Sequence, residues 1–336
     1  MELTEKAIGL EQIQVNSPYG LIQLSDFQMV SRPNRHTQVF FSGMVADTQK
    51  DTCIERATDQ DRIEVNLTEN GKKVRTLFKG VATNLSVKHV RGVYHLEAEA
   101  LSATYLMDIK LKNRSFQNLQ MSYQALFQKV LADYPKASFI DRVTKGAKLQ
   151  EILIQRCETD WALLVRAASR LGAVLIPDPT SEAPGFWLGI PEGKAHKMVN
   201  FHYSLGKNLA QYRNSSQNYD AKLPEIDFAG YRVESNALLN LGDRVEFKGI
   251  NLVVAEVSCG FKQGVLKWEY LLTTRDGLRQ NRIINQQLAG TSLRGKVIDR
   301  RRDQVRLHLE IDQHQNKEEA YWFKVVHSYA AEGHSG

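Results

Sequence analysis

The chain has 336 residues, 42% hydrophobic and 24% charged, with a formal charge of +6. That balance fits a soluble globular protein with room for two or three cored domains, and the mild charge does not by itself imply nucleic acid. No run of about 18 apolar residues occurs, so no membrane span is expected. The start, MELTEKAIGLEQ, has acidic residues and no apolar core, so no signal peptide is expected. Cys53, Cys157 and Cys259 are odd in number and far apart, which argues for a reducing compartment rather than a disulfide framework.

Residues 1–110 predict an all-β unit. Leu21–Leu24, Gln38–Phe41, Arg62–Leu67 and Tyr94–Ala100 are strand-like, several of them alternating. Asn70-Gly71 is a tight-hairpin signal, because both positions tolerate positive φ. Ser31–Asn34 and Lys50-Asp51 are expected in loops. Many short antiparallel strands imply a barrel or sandwich.

Residues 111–199 predict a mixed α/β insert. Ser122 caps a helix running through Asp133, with Met121 and Leu126 placed as a hydrophobic staple. Tyr123, Leu126, Phe127, Val130 and Leu131 form its buried stripe, and Pro135 stops it. A strand over Ile152–Ile154 then leads to a second helix. Thr159 caps that helix, and Asp160 places negative charge at its positive end. Trp161, Leu164, Val165, Ala168 and Leu171 recur at helical spacing, so one face should be buried. Arg166 and Arg170 sit near the negative end, and Gly172 is the left-handed stop. Ala173–Ile176 and Phe186–Ile190 read as strands. On pattern alone this is a short helix packed on a sheet.

Residues 200–285 turn β-rich again, with strands near Leu241–Phe247, Leu252–Val257 and Leu266–Leu272. A weak internal echo is present. Phe78-Lys79-Gly80 recurs as Phe247-Lys248-Gly249, and Gly92-Val93 with Glu97 recurs as Gly264-Val265 with Glu269. The two spacings differ by three residues. A duplicated β unit would explain the echo, and so would chance. Residues 286–336 are a polar connector followed by Gly295–Val297, Val305–Leu309 and an aromatic strand Trp322–Val325.

The order Gln155-x-x-Glu158-Thr159-Asp160-Trp161, then an apolar helix with Arg166, then Leu171-Gly172 and a strand, resembles the signature of the VgrG and phage tail hub family. Arg156 stands where that family usually has Tyr, and Thr159 where it has Ser. Leu96–Ser115 resembles the end of the family's first barrel, and Ser115–Gln117 the start of its insert. The resemblance implies a mainly β fold with an α+β insert. It implies tube-type antiparallel β-barrels over 1–110 and 200–285, a mixed insert over 111–199, and a connector and incomplete oligonucleotide/oligosaccharide-binding (OB) barrel over 286–336. Gly333–Gly336 would be a later turn of that barrel. About 44 residues after Leu293 are too few to close five strands, so we expect a truncated chain or a spike on another polypeptide.

It further implies a homotrimeric structural hub of a contractile injection system, adapting a sixfold tube to a threefold spike. The inner tube protein, spike tip, baseplate proteins and possible effector cargo would be its partners. It would assemble in the bacterial cytoplasm and act as part of a tail or injection particle.

The residues offer little chemistry to compete with this. The nine histidines lack His-x-x-x-His spacing and Cys-x-x-Cys is absent, so neither a zinc site nor any other cofactor is expected. His308 and His314 flank a strand and read as sheet or surface residues. No Gly-x-Ser-x-Gly elbow or Gly-x-Gly-x-x-Gly loop occurs. Glu158 and Asp160 could serve a glycosidase, but Arg156 and Arg166 beside them favour an ion-pair network. Cys157 reads as a small buried residue at a strand end. Arg300-Arg301-Arg302, with Arg294, Lys296 and Arg306 nearby, reads as a charged hairpin turn or a subunit contact rather than a nucleic-acid groove. In Tyr321-Trp322-Phe323 alternation should bury at least one ring. The alternatives from other classes are a tail-associated peptidoglycan hydrolase and a nucleic-acid-binding OB protein.

Overall fold

The computed structural model describes residues 7–46, 50–198, 202–219 and 223–326. Gly333–Gly336 and the first six residues lie outside that range. The chain is mainly β with a small mixed insert.

The first region holds β1 (Ile8–Gly9), β2 (Ile13–Asn16), β3 (Leu21–Ser31), β4 (Gln38–Val45), α1 (Lys50–Glu55), β5 (Arg62–Glu69), β6 (Lys72–Val90) and β7 (Val93–Ser102). Lys50-Asp51, expected in a loop, begin α1, and Ser31 closes β3. The insert holds β8 (Lys112–Phe116), α2 (Tyr123–Leu131), β9 (Ser138–Asp141), β10 (Leu153–Glu158), α3 (Asp160–Ser169), β11 (Leu175–Pro177) and β12 (Gly185–Leu188). The third region holds β13 (Ala195–Met198), β14 (Tyr203–Lys207), α4 (Leu209–Asn218), β15 (Ala229–Ser235), β16 (Arg244–Phe247), β17 (Ile250–Lys262) and β18 (Val265–Thr273). Last come β19 (Gly295–Arg301), β20 (Gln304–Leu309) and β21 (Trp322–Lys324), an antiparallel three-stranded unit. Arg302, at φ 52°, forms the turn between β19 and β20, so the arginine run is an exposed hairpin tip.

The first and third regions share one sheet, in the order β14-β15-β18-β17-β3-β4-β7-β6-β5-β2. Within it the same pattern is drawn twice. Arg91-Gly92 turns β6 into β7 with φ of 51° and 82°. Gln263-Gly264 turns β17 into β18 with φ of 53° and 78°. Gly92 to Gly264 is a shift of 172 positions, and the shift holds along both ladders. Val90↔Val93 becomes Lys262↔Val265. The bulge between Ala82 and Asn84, opposite Ala100 and Glu99, becomes one between Val254 and Glu256, opposite Leu272 and Leu271. A bulge at the same place in two ladders is a specific feature of register, not a generality of β structure. The next strands outward also correspond: β4 pairs β7 as β15 pairs β18, and β3 pairs β4 as β14 pairs β15.

The Gly-Val half of the sequence echo therefore marks equivalent turns. The Phe-Lys-Gly half does not. Phe78-Lys79-Gly80 lies inside β6, whereas Lys248-Gly249 is a tight turn with φ of 51° and 76°. The structural counterpart of that turn is Asn70-Gly71, at φ 50° and 71°, on a longer hairpin. The two spacings disagreed because the two Phe-Lys-Gly copies stand at different places in the repeat, one mid-strand and one at a turn.

One core runs across both regions, with Phe27, Phe41, Phe78 and Leu96 from the first and Val254, Trp268, Tyr270 and Leu272 from the third. A second core fills the insert, with Leu126, Phe127, Trp161, Leu164 and Phe186 at its centre. Ser122 caps α2 by accepting from Ala125 N–H, as its sequence implied. The expected single buried face of α3 is too narrow. Trp161, Leu164 and Ala168 are buried as expected and Val165 and Leu171 only half-buried, while Leu163, Arg166, Ala167 and Ser169 are buried too, so the helix is enclosed on most sides. In Tyr321-Trp322-Phe323 no ring is fully buried; all three are half-buried, and Arg306 lies over the Trp322 ring.

Gly92 and Gly264 have open space around a would-be Cβ, so only their left-handed φ resists substitution. Gly92→Ala and Gly264→Ala should each cost a similar ~1–2 kcal/mol in denaturant unfolding. A loss at one site and none at the other would contradict the equivalence of the turns.

Candidate functional site

The Gln155–Gly172 stretch is a structural joint. β10 pairs with β8 through Leu153↔Phe116, Ile154↔Ser115 and Gln155↔Arg114, then breaks register before Glu158. The break is a bulge with Cys157 at φ 44°, where Asn113 accepts the Cys157 N–H. Cys157 is exposed, not buried as its strand-end position had implied, because the bulge turns it out of the pleat.

Gln155 holds the bulge from inside. Its amide N–H groups donate to the Glu158 carbonyl and to Asp160 Oδ1, both at 2.9 Å. Its Oε1 accepts from Arg114 Nε at 2.7 Å. A single buried amide thus uses both ends, which explains why Gln, and not Glu or Leu, suits the position.

The bulge sends the two carboxylates in different directions. Glu158 receives Arg166 through both oxygens at 2.7 Å, and Arg166 also donates to Ile154 O at 2.8 Å. Asp160, at 0% exposure, receives Lys112 Nζ and Arg114 Nη2 at 2.5 Å and Tyr134 Oη at 2.8 Å. Burial alone would push the Asp160 carboxyl up. Hydrogen bonds from Lys112 and Gln155 and the Arg114 charge outweigh it and hold the group below the ordinary range. Burial and the Asp160 charge push Tyr134 up, so it stays a donor. The expected network exists, but Arg156 is not its cation. Arg166 serves Glu158 as expected, and the cations on Asp160 are Lys112 and Arg114, which sit two apart on β8, facing the same way.

Thr159 caps α3 by accepting from Ala162 N–H at 3.2 Å, and its hydroxyl donates to Asp108. Asp108 also meets His36 Nε2 at 3.1 Å. Burial would raise the Asp108 carboxyl, but its bonds to His36 and Thr159 lower it below the usual range. Trp161 is 3% exposed and reaches out of the insert. Its indole N–H donates to Asn34 O at 3.2 Å, and its ring packs on His36 and edge-on against Phe186. The helix start is therefore clasped to the first β region.

The helix end is tied to the connector. Gly172 has φ 66°, and Ala173 N–H closes the cap on Ala168 O at 3.1 Å. A Cβ at Gly172 would meet Arg279 Nε at 2.9 Å, and Gln280 N–H donates to Gly172 O. Ile283 N–H donates to Ser169 Oγ, and Asn285 to Arg156 O. The β19–β21 unit docks on the same insert. Asp312 accepts from Ser115 N–H and Oγ, while Gln117 donates to Leu307 O and accepts from Tyr321 N–H.

Chemically, this arrangement is spent on holding. Glu158 and Asp160 are saturated by cations and donors, so neither is poised as a general acid or nucleophile. Among the described residues no group of three or more His, Cys, Asp or Glu side chains could hold a metal ion. His308 lies in β20 and bonds Asp312 O at 2.9 Å. Asp108, His36, Asn34, Lys112, Arg114 and Tyr134 complete the joint but were not singled out from the sequence. The only local hint was the alternation of Lys112 and Arg114.

No protein-family model and no curated protein sequence matches the chain. Solved structures do. The E. coli c3393 protein, a component of the type VI secretion system described as similar to T4 bacteriophage tail proteins gp27 and gp5, aligns at TM-score 0.67 and 15% identity over 92% of each chain. The 43 kDa tail protein of prophage MuSo2 from Shewanella oneidensis aligns at TM-score 0.59 and 9% identity, over 81% of this chain and 99% of that one. A tail protein from Neisseria meningitidis MC58 aligns at 0.57 and 11%, over 80% and 97%. The chain has the fold shared by these tail and secretion-system proteins.

Trp161→Ala should lower stability by ~3–5 kcal/mol, as a core truncation that also breaks the Asn34 contact. An unchanged unfolding midpoint would show that the clasp carries nothing. Asp160→Asn should cost roughly 3 kcal/mol at neutral pH, since it leaves two cations facing a neutral amide. The pH sign follows from the lowered carboxyl. Its contribution is complete above the unfolded value of about 3.9 and is lost as pH falls through the folded value. The native chain should lose more stability on acidification than the variant; equal acid limbs would contradict the assignment.

Proposed function

We propose that this chain is the structural hub at the tip of the tail tube of a contractile injection system, a phage tail, phage-tail-like particle or type VI-like machine. The observation that carries the proposal is the duplicated ladder, repeated 172 positions on from Gly92 to Gly264, within a fold shared with tail proteins. In this reading residues 1–110 and 200–285 are two tube-type barrels, 111–199 is the insert that braces them, and 286–336 begins an OB barrel. A homotrimer then offers six near-equivalent units to a sixfold tube while keeping threefold symmetry for a spike. Its partners are the inner tube protein, the spike tip and baseplate proteins, and effector cargo where the machine carries one.

Such a part transmits force and needs rigidity rather than an active site. The saturated carboxylates of the joint support that view. No helix of the described residues is long and apolar enough to cross a membrane. The type VI component and the tail proteins it resembles suggest placement within a tail particle.

Native mass over a concentration series tests this reading. We expect monomer giving way to trimer as concentration rises. A dimer at every concentration would contradict the hub assignment.

A further inference from the structure

The internal repeat also says which strand edges meet between subunits. Inside the chain, the second half of β17 is covered on its open side by β3. The pairs are Val257↔Ser31, Ser258↔Val30, Cys259↔Met29 and Gly260↔Gln28. This is the seam between the two repeats. By the 172-position shift, β17 residues 257–260 correspond to Leu85–Lys88 of β6.

The counterpart of β3 follows from the next two ladders. Phe27 opposes Phe41, which opposes Ala98. Tyr203 opposes Val233, which opposes Tyr270, the position equivalent to Ala98. Tyr203–Lys207 therefore corresponds to Phe27–Ser31. In the first repeat no covering strand is present among the described residues, where β6 beyond Val81 pairs only with β7. In the second repeat the strand equivalent to β3 is β14, which among the described residues pairs only with β15. One chain carries the seam once, and half of it again at each open edge.

We propose that β14 of one subunit pairs antiparallel with β6 of the next, in the register Leu85↔Lys207, Ser86↔Gly206, Val87↔Leu205 and Lys88↔Ser204. This inference rests on the hub reading above and specifies its subunit contact. The occupant of each edge is a second copy of this chain.

Burial supports it. Phe27 and Met29 are 0% and 5% exposed, but their counterparts Tyr203 and Leu205 are 44% and 58% exposed. Val257 and Cys259 are buried, but their counterparts Leu85 and Val87 are only half-covered at the margin of the core. The new seam would place Leu205 on Val87, as Met29 lies on Cys259. It would also satisfy two rows of open backbone groups, which an exposed strand edge otherwise offers to any partner. Because the two edges differ, the contact is head-to-tail and propagates around a ring rather than pairing two copies face to face.

The test is a disulfide placed across the seam. In a Cys157→Ser background, Val87→Cys with Leu205→Cys puts directly opposed residues within disulfide reach, whereas Val87→Cys with Tyr203→Cys is two residues off register. Oxidation of the first variant should give reductant-sensitive covalent species ending at trimer, ~10-fold or more faster than the second. In the unaltered protein, amides of residues 83–90 and 203–207 should exchange at least ~10-fold more slowly in the trimer than in the monomer. This second measurement stands if the cysteine variants fold poorly. A native-mass trimer with faster off-register cross-linking, or with those amides unprotected, would overturn this seam while leaving the hub reading intact. A chain that stays monomeric at every concentration would overturn both.

Discussion

A buried carboxylate organises the centre of the molecule. Asp160 is removed from water, which for an isolated charge costs several kcal/mol. It is tolerated because Lys112, Arg114, Gln155 and Tyr134 all point at it. Those four groups come from β8, β10 and the segment after α2, so satisfying one charge fixes three pieces of chain around the start of α3. The next residues extend the constraint outward. Thr159 and Trp161 reach Asp108 and Asn34, which belong to the first β region. Gly172 then lets the connector pass close over the helix end. The insert is thus bound to the first β region at one end of a single helix and to the connector at the other.

The second constraint is register. In β-structure a one-residue slip exchanges the faces of a strand. The two ladders avoid slippage with the same devices: a two-residue turn with both φ positive, and a bulge eight residues before it. Because both devices recur at one shift, the two regions present equivalent edges. One pair of those edges is used within the chain, where β17 meets β3. Local turn chemistry at Arg91-Gly92 and Gln263-Gly264 therefore propagates through strand pairing to the shape of the surface open for assembly.

Much of this was legible in the sequence, and the reasons are physical. Helix caps are local, so Ser122, Thr159 and Gly172 could be placed from their neighbours alone. Tight turns are equally local, which is why Asn70-Gly71 read correctly. Partners far apart in sequence were not legible. Nothing in the residues tells Asp160 that its cations are on β8 rather than at Arg156. The bulge that exposes Cys157 depends on Gln155 and Asn113 acting across two strands. The Phe-Lys-Gly echo misled because matching letters need not share a register: one copy is mid-strand and the other is a turn. The enclosure of α3 on most sides was hidden too, since Arg166 and Ser169 look polar until Glu158 and the connector satisfy them.

The central claim is that one chain supplies two equivalent units to a threefold ring. Rotational analysis of electron micrographs of the assembled particle, viewed down its axis, tests it most directly. The account predicts threefold symmetry with six similar β densities around the axis, two from each of three chains. Six chains in the ring, or three densities with no second copy between them, would contradict it.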